Sequence, residues 1–301
     1  MPSGPNQAFA PAKVNLFLHV GPVQANGRHP LDSLVVFSGP DLSDTLSIRI
    51  SSGLSLTISG SDQDETGSGH DQIGPAQDNL ILRAARALQA ETGTDKGAAF
   101  TLEKRLPVAA GIGGGSADAA AALNLLTGLW GTDPAAARAV APGLGGDVPV
   151  ALAGHASLMQ GEGERVRRVT GLPPVPAVLV NPRVPCPTGA VFRAYDAAGG
   201  GAGFREFGGV PPFERVIDLV HWLGLQRNDL EAPAISLVPE IGGVLDRLKA
   251  LPDVLLSRMS GSGATCFALF ETEGAAARAA SLLTEAHPEW WVRATRLGNA
   301  A

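Results

Sequence analysis

Cysteine is scarce: Cys186 and Cys266 are the only two in 301 residues. They stand far apart and form no CxxC pair, which excludes a disulfide framework and a cysteine zinc site and leaves both as small buried hydrophobes. Aromatic residues are few, at 5%, and no basic run exceeds two residues in a chain of net charge −6. The electrostatic footprint of a nucleic-acid binder is therefore missing, and a small-molecule partner is expected. Long apolar runs are missing too. The longest, Ala119 to Trp130, carries Asn124, Thr127 and Gly128, so it reads as a packed helix rather than a membrane span. The opening MPSGPNQAFAPAKVNLFLHV has no basic leader, and Lys13 interrupts its apolar stretch, so a cytoplasmic protein without membrane contact is expected.

Apolar residues and glycine are abundant. An apolar content of 45% over this length is enough for two ordinary cores, and two domains are expected. Lys13–Val20, Leu31–Phe37, Thr45–Ile50 and Leu54–Ile58 read as strands of an opening meander, followed by an exposed glycine-rich loop over 59–77. Asp78 stands as a helix cap before DNLILRAARALQAETG, whose apolar positions recur at helical spacing up to Gly93. A strand over 99–105 follows. After an alanine-rich helix, PGLGGDVPVALAGHASLMQGEGERV alternates short apolar runs with glycines and reads as β-structure around Asp147. Residues 196–214 are the loosest part of the second half and suit a lid or linker. The end of the chain, MSGSGATCFALFE, GAAARAASLLTEA and WWVRATRL, reads as β-α-β.

The stretch LPVAAGIGGGSADAAAALNLL, residues 106–126, carries the chemistry. Gly111 to Gly115 let the backbone approach a ligand, Ser116 sits where a helix cap belongs, and Asp118 falls in the first turn. Such a loop presents N–H groups and a helix dipole to an anion such as a triphosphate. It lacks the lysine of the common nucleotide-kinase loop, so the cations must come from elsewhere: Lys104 on the preceding strand, Lys13 near the start, and Mg²⁺ with Ser116 as its candidate ligand. Alone, the cluster is equally compatible with a tight turn.

Three separated stretches, PAKVNLFLHV, LPVAAGIGGGSADAAAALNLL and MSGSGATCFALF, resemble in order and spacing the three motifs of the GHMP kinase superfamily. The resemblance implies an α+β fold of two domains, an ATP-binding domain over residues 1–165 and a substrate domain over 166–301 with a ferredoxin-like ending, and an active site in the cleft between them. The GRHP turn, LDSLVVF, DNLILRAARAL, GGDVPVALAGHASLMQGEGE and NDLEAPA are further similar to the branch that uses ATP to phosphorylate the 2-hydroxyl of a cytidylyl-linked methylerythritol, in isoprene biosynthesis by the non-mevalonate route.

Carried over position by position, the resemblance makes Asp147 the catalytic base and Lys13 its electrostatic partner. The phosphate loop falls on Pro107, Val108, Ala109, Ala110, Gly111, Ile112, Gly113, Gly114, Gly115, Ser116 and Ala117, and Asn79 and Lys104 fall toward the adenine. His29 matches the histidine that binds the cytosine edge and Phe192 an aromatic wall of the same pocket. Arg28 stands where the family usually has Tyr or Phe; a guanidinium plane can also stack on a base. Thr188 is placed to bond phosphate, and the turn Ser260, Gly261, Ser262 and Gly263 to line the cleft. Asn15, two residues after Lys13, points to the same strand face, which suits a substrate contact and equally a polar strand-edge residue.

The chemistry fits. A tertiary alcohol is a poor nucleophile, and a carboxylate within hydrogen-bond reach can take its proton while a nearby lysine offsets the migrating charge. Homoserine and mevalonate kinases are the alternative within the superfamily, but their substrates give no use to His29 and Phe192. A silent GHMP-fold ligand sensor is the alternative from another class, and retention of Lys13, Ser116 and Asp147 argues against it.

Overall fold

The computed structural model describes residues 6–60, 78–107, 110–201 and 203–300. From the N-terminus the elements are β1 (Gln7–Pro11), β2 (Lys13–Val20), β3 (Leu31–Phe37), β4 (Ser43–Ser51), β5 (Leu54–Gly60), α1 (Leu80–Thr92), β6 (Gly97–Lys104), α2 (Gly114–Trp130), α3 (Pro134–Leu144), α4 (Val148–Ala153), β7 (Ser157–Gly161) and β8 (Arg165–Arg168). There follow β9 (Val175–Asn181), α5 (Thr188–Ala197), α6 (Val216–Gly224), α7 (Glu231–Leu237), α8 (Glu240–Lys249), β10 (Leu256–Met259), β11 (Cys266–Leu269), α9 (Glu273–Ala286) and β12 (Trp291–Leu297). The fold is α+β, as the resemblance implied.

The strands form three four-stranded sheets, in the orders β1-β4-β6-β5, β2-β3-β7-β8 and β10-β11-β9-β12. The opening strands are thus not one meander. β1 and β2 are separated by Ala12 alone yet enter different sheets, and β5 pairs in parallel with β6. The reason lies in β2, which is buried at every position because it is covered on both faces, whereas β5 alternates and keeps one face toward solvent. In the third sheet β11 and β12 both run antiparallel to β9, which lies between them, so β11-α9-β12 is a β-α-β unit.

Three apolar layers hold these sheets. Leu46, Ile81, Leu88, Phe100, Leu102 and Leu126 join the first sheet to α1 and α2, where Ala119 to Ala122 let the backbones come close. Leu16, Phe17, Leu34, Leu179, Phe267 and Trp291 fill the space between the second and third sheets, and Ile241, Val244 and Leu283 cover the far face of the third. Cys186 and Cys266 are buried free thiols.

Several element starts differ from expectation. Asn79, not Asp78, caps α1, its side chain accepting from Ile81 N at 2.9 Å. The cap of α2 is Gly113, whose left-handed φ of +66° starts the helix before Ser116 and places that serine inside the first turn. Asp147 is not flanked by β-structure. It precedes α4, where Pro149 stands at a helix start that tolerates it and Gly154 closes the helix at φ +63°. The apolar alternation that suggested a strand is one short helix followed by β7. The expected strand over 99–105 is β6, Gly97–Lys104. Of the expected loop, 59 and 60 end β5 and 61–77 lie outside the described residues.

The segment suggested as a lid is held down over its described part. Phe207 N donates to Asp32 Oδ2, Gln160 Nε2 donates to Phe207 O at 3.0 Å, Arg165 pairs with Glu206, and the Phe207 ring packs on Phe17, His19 and Trp222.

Candidate active site

The three motifs, two of them glycine turns, meet at the start of β2. Lys13 N donates to Ile112 O at 2.8 Å, Thr265 N to Ala110 O at 3.1 Å, and Asn15 N to Ser260 Oγ at 3.1 Å. A side chain at Gly111, where φ is +74°, would run into the Gly263 carbonyl, and one at Gly261 would come within 2.9 Å of Gly111 O. Glycine at these positions lets two turns stack backbone on backbone. A cavity of about 980 Å³ opens where they meet.

Lys13 sits at its base. Its ammonium lies 3.1 Å from Asp147 Oδ2 and donates to Asn15 Oδ1 at 2.7 Å. Asn15 Nδ2 in turn donates to Ser33 Oγ at 2.7 Å, and Ser33 Oγ to Phe17 O at 2.6 Å. The lysine side chain is only 5% exposed, while that of Asp147 is 34% exposed at the start of α4. The pair therefore presents a carboxylate to the cavity and a fixed cation behind it.

Most of the expected phosphate loop lines the same cavity: Pro107, Ala110, Gly111, Gly113, Gly114, Gly115 and Ser116. Val108 and Ala109 lie outside the described residues. Ile112 and Ala117 turn their side chains into the core and offer backbone alone. Ser116 Oγ lines the cavity with no hydrogen-bond partner among the described residues. Asn79 lines it too, with Oδ1 spent on capping α1 and Nδ2 left for a ligand.

Lys104 is engaged beneath the loop. It donates to Asp44 Oδ2 at 2.5 Å and Asp118 Oδ2 at 3.2 Å, while Asp44 Oδ1 accepts from Arg105 N and Leu106 N at 2.6 and 2.9 Å. Burial opposes the lysine charge, but the carboxylates of Asp118 and Asp44 win and hold it above the ordinary lysine range. Burial pushes Asp118 up to about 7 against the pull of Lys104, and its Oδ1 has no hydrogen-bond partner among the described residues. The helix-start carboxylate is thus tied into an ion cluster with Lys104 and Asp44 at the margin of the cavity, which it and Lys104 both line.

The opposite wall is aromatic. His29 and Phe192 rings lie 5.0 Å apart at 32°, with Tyr195 edge-on to His29 at 5.9 Å. His29 Nδ1 meets Gly21 O at 2.9 Å, and Nε2 faces Asp196 Oδ1 at 3.5 Å. Thr188 Oγ1 bonds Ser262 Oγ at 2.8 Å, and Asn228 Nδ2 holds Gly261 O at 2.8 Å. Arg28 is largely exposed at the rim and pairs with Glu162 Oε2 at 3.1 Å; Asn26 donates to Glu162 Oε1 at 2.6 Å. Glu162, Asp196, Asn228 and Asp44 escaped the sequence reading. Glu162 lies in the quoted QGEGE turn and could have been flagged as a charge between glycines, and Asn228 opens the quoted NDLEAPA stretch; Asp196 and Asp44 carry no local pattern.

With this geometry in hand, the class is clear from the comparisons. Residues 79–155 match the GHMP kinases N terminal domain family and residues 211–289 the GHMP kinases C terminal family. The chain is 60% identical to 4-diphosphocytidyl-2-C-methyl-D-erythritol kinase of Hyphomonas neptunium over 97% of its length and 96% of the relative's. A crystal structure of 4-(cytidine 5'-diphospho)-2C-methyl-D-erythritol kinase superposes with a TM-score of 0.70 at 34% identity, covering 97% of this chain and 99% of that one. Homoserine kinase from Cytophaga hutchinsonii, at 17% identity, a TM-score of 0.66 and coverage of 98% and 95%, shares the fold. The chain belongs to the 4-diphosphocytidyl-2-C-methyl-D-erythritol kinase family of GHMP kinases, and it is an ATP-dependent small-molecule kinase.

Proposed function

We propose that the protein transfers the γ-phosphate of ATP to the 2-hydroxyl of 4-diphosphocytidyl-2-C-methyl-D-erythritol, giving the 2-phosphate and ADP, as one step of non-mevalonate isoprene biosynthesis in the cytoplasm. The observation that carries the reading is the Lys13–Asp147 pair at 3.1 Å, set between the glycine loop and the His29–Phe192 wall in one cavity. ATP lies with its phosphates on the loop, and cytosine stacks at Phe192 with its edge toward His29. Asp147 accepts the proton of the acceptor hydroxyl as the phosphorus–oxygen bond forms, and ADP leaves. Lys13, fixed by Asn15, keeps the carboxylate aimed and offsets the charge moving past it.

Mg²⁺ accompanies ATP in this reading. The free hydroxyl of Ser116 fits one oxygen ligand, and the described residues contain no cluster of three acidic or imidazole ligands that would make a cage of protein alone. The ion would neutralise phosphate charge, which suits a loop without its own lysine. We assign the ATP-binding part to residues 1–165 and the substrate part to 166–301. The net charge of −6 supports a small-molecule acceptor over a nucleic acid.

The test is ATP turnover by the full-length protein with cytidylyl-methylerythritol, homoserine and mevalonate offered separately. Turnover is expected with the first alone, and its absence there sinks the reading. Asp147→Asn should keep the fold and ATP affinity while turnover drops by about 10²–10⁴, the usual contribution of a positioned base. An unchanged rate would remove Asp147 from the mechanism.

A further inference from the structure

The cations of the cavity are not equivalent. Lys13 faces Asp147, Lys104 is shared by Asp44 and Asp118, Arg28 pairs with Glu162, and His29 faces Asp196. Arg193 is the exception. Its side chain lines the cavity from α5 and has no ion pair or hydrogen bond among the described residues. An acceptor bearing two phosphates meets a wall on which every other cation already has a carboxylate beside it.

The placement of Arg193 follows from α5. Phe192, its neighbour in sequence, packs on His29, so one end of this helix surface belongs to the aromatic wall. The other end is the first turn, where Thr188 holds Ser262 of the glycine turn. The Arg193 guanidinium folds back along the helix, its Nη1 lying 3.4 Å from where a Cβ on Gly189 would sit. Gly189, being bare, leaves that space to the guanidinium. A ligand whose base stacks at Phe192 and whose hydroxyl reaches Asp147 must lay the linker between them beside this turn.

We infer that Arg193 is the specificity-determining cation for the acceptor's diphosphate, selecting nucleoside-diphosphate-linked acceptors over neutral or single-carboxylate alcohols. The inference rests on the proposed substrate reading and adds to it the residue that recognises the linker. A guanidinium suits the task because its planar fork can bond oxygens of both phosphates at once and holds its charge at every working pH. The role is binding and orientation; proton transfer stays with Asp147.

The experiment compares wild type, Arg193→Gln and Arg193→Lys, all full length. Affinities for CDP and for cytidine are measured by calorimetry in saturating ADP, which keeps CDP off the phosphate loop, and steady-state constants are measured with cytidylyl-methylerythritol. Arg193→Gln should weaken CDP by about 10- to 100-fold, the range for losing charge-assisted hydrogen bonds, and leave cytidine unchanged, with Arg193→Lys in between. KM for the acceptor should rise by a like factor while kcat and the KM for ATP hold, the pattern of a lost uniform binding interaction. Equal losses on CDP and cytidine would mean a structural role and overturn the inference, as would an effect on ATP alone or no effect. Should wild type bind neither cytidine nor CDP, the substrate reading falls and takes the inference with it; should wild type turn over the acceptor and Arg193→Gln match it, the inference alone falls.

Discussion

The backbone amide of Asn15 donates to Ser260 Oγ at 3.1 Å, joining residues 245 positions apart directly behind the Lys13 ammonium. Together with Arg258 Nη1, which donates to Leu16 O at 2.7 Å, it ties the third sheet to the strand carrying the lysine. Ser260→Ala leaves a buried N–H without an acceptor, for which about 1–3 kcal/mol of stability is the expected cost. Ser260→Thr keeps the oxygen and should recover part of it. Urea titrations of the three proteins check this, and equal midpoints for wild type and Ser260→Ala would contradict it.

Lys13 and Asp147 act as one unit, so their removal should not be additive. Lys13→Met and Asp147→Asn should each reduce kcat strongly, and the double variant should be no more than about tenfold below the worse single one, as groups sharing one task behave. Multiplying losses in single-turnover measurements would show that the lysine serves the phosphates independently of the carboxylate.

The two carboxylates on Lys104 should differ sharply. Asp44 uses one oxygen for two backbone amides and the other for the lysine, and Asp44→Asn breaks a buried pair at an expected cost of about 3–5 kcal/mol. Asp118 has an oxygen with no partner among the described residues, so Asp118→Asn should cost less than about 2 kcal/mol. The gap to wild type should also move in the variant's favour between pH 4 and 7. Burial holds Asp118 near 7, so over that window the unfolded chain releases a proton that the native chain keeps, and wild type loses stability as pH rises. Denaturation midpoints at pH 4.5 and 7.5 measure both effects.

His19 gives a dependence of opposite sign. Burial, with Arg227 nearby, lowers it to about 4, and its Nε2 is buried without a hydrogen-bond partner among the described residues. Below its ordinary value near 6.5 the unfolded chain takes up a proton that the native chain refuses, so stability present at neutral pH is lost as pH falls toward 4. About 2 kcal/mol should be gone by pH 5 from this residue. His19→Phe, which fits among Phe17 and Phe207, should remove that part of the acid sensitivity. Parallel slopes for the two proteins between pH 7 and 5 would contradict it.

Much of the site was legible before the fold because its parts are glycines, whose spacing betrays backbone contact. The loop 111–115, the SGSG turn and Lys13 were read as one centre through the resemblance of their order and spacing to the superfamily's motifs, and they meet. What escaped were partners set by tertiary geometry. Nothing near Asp44 announces that it will receive Lys104 and two amides, and Asp196 becomes a neighbour of His29 only when α5 docks on the β2–β3 loop. The helix at Asp147 was misread for a local reason: VPVALAG is a short apolar run between glycines, which suits a buried strand as well as a helix, and the prolyl residue in its first turn looks like a breaker until its position is known. The cap at Ser116 was misplaced because a left-handed glycine can open a helix with no side chain to signal it.

The passage from β1 to β2 through Ala12 has a mechanical consequence. Ala12 is buried and clamped, its N–H on Ser38 Oγ at 2.9 Å and its carbonyl receiving Ser38 N at 3.0 Å. Lys13 is the next residue, so the ammonium is mounted on the joint where two sheets part company. Any shear of one sheet against the other is delivered to the lysine with almost no slack in between. Packing changes far from the cleft, in either sheet, therefore have a short route to the rate of phosphoryl transfer.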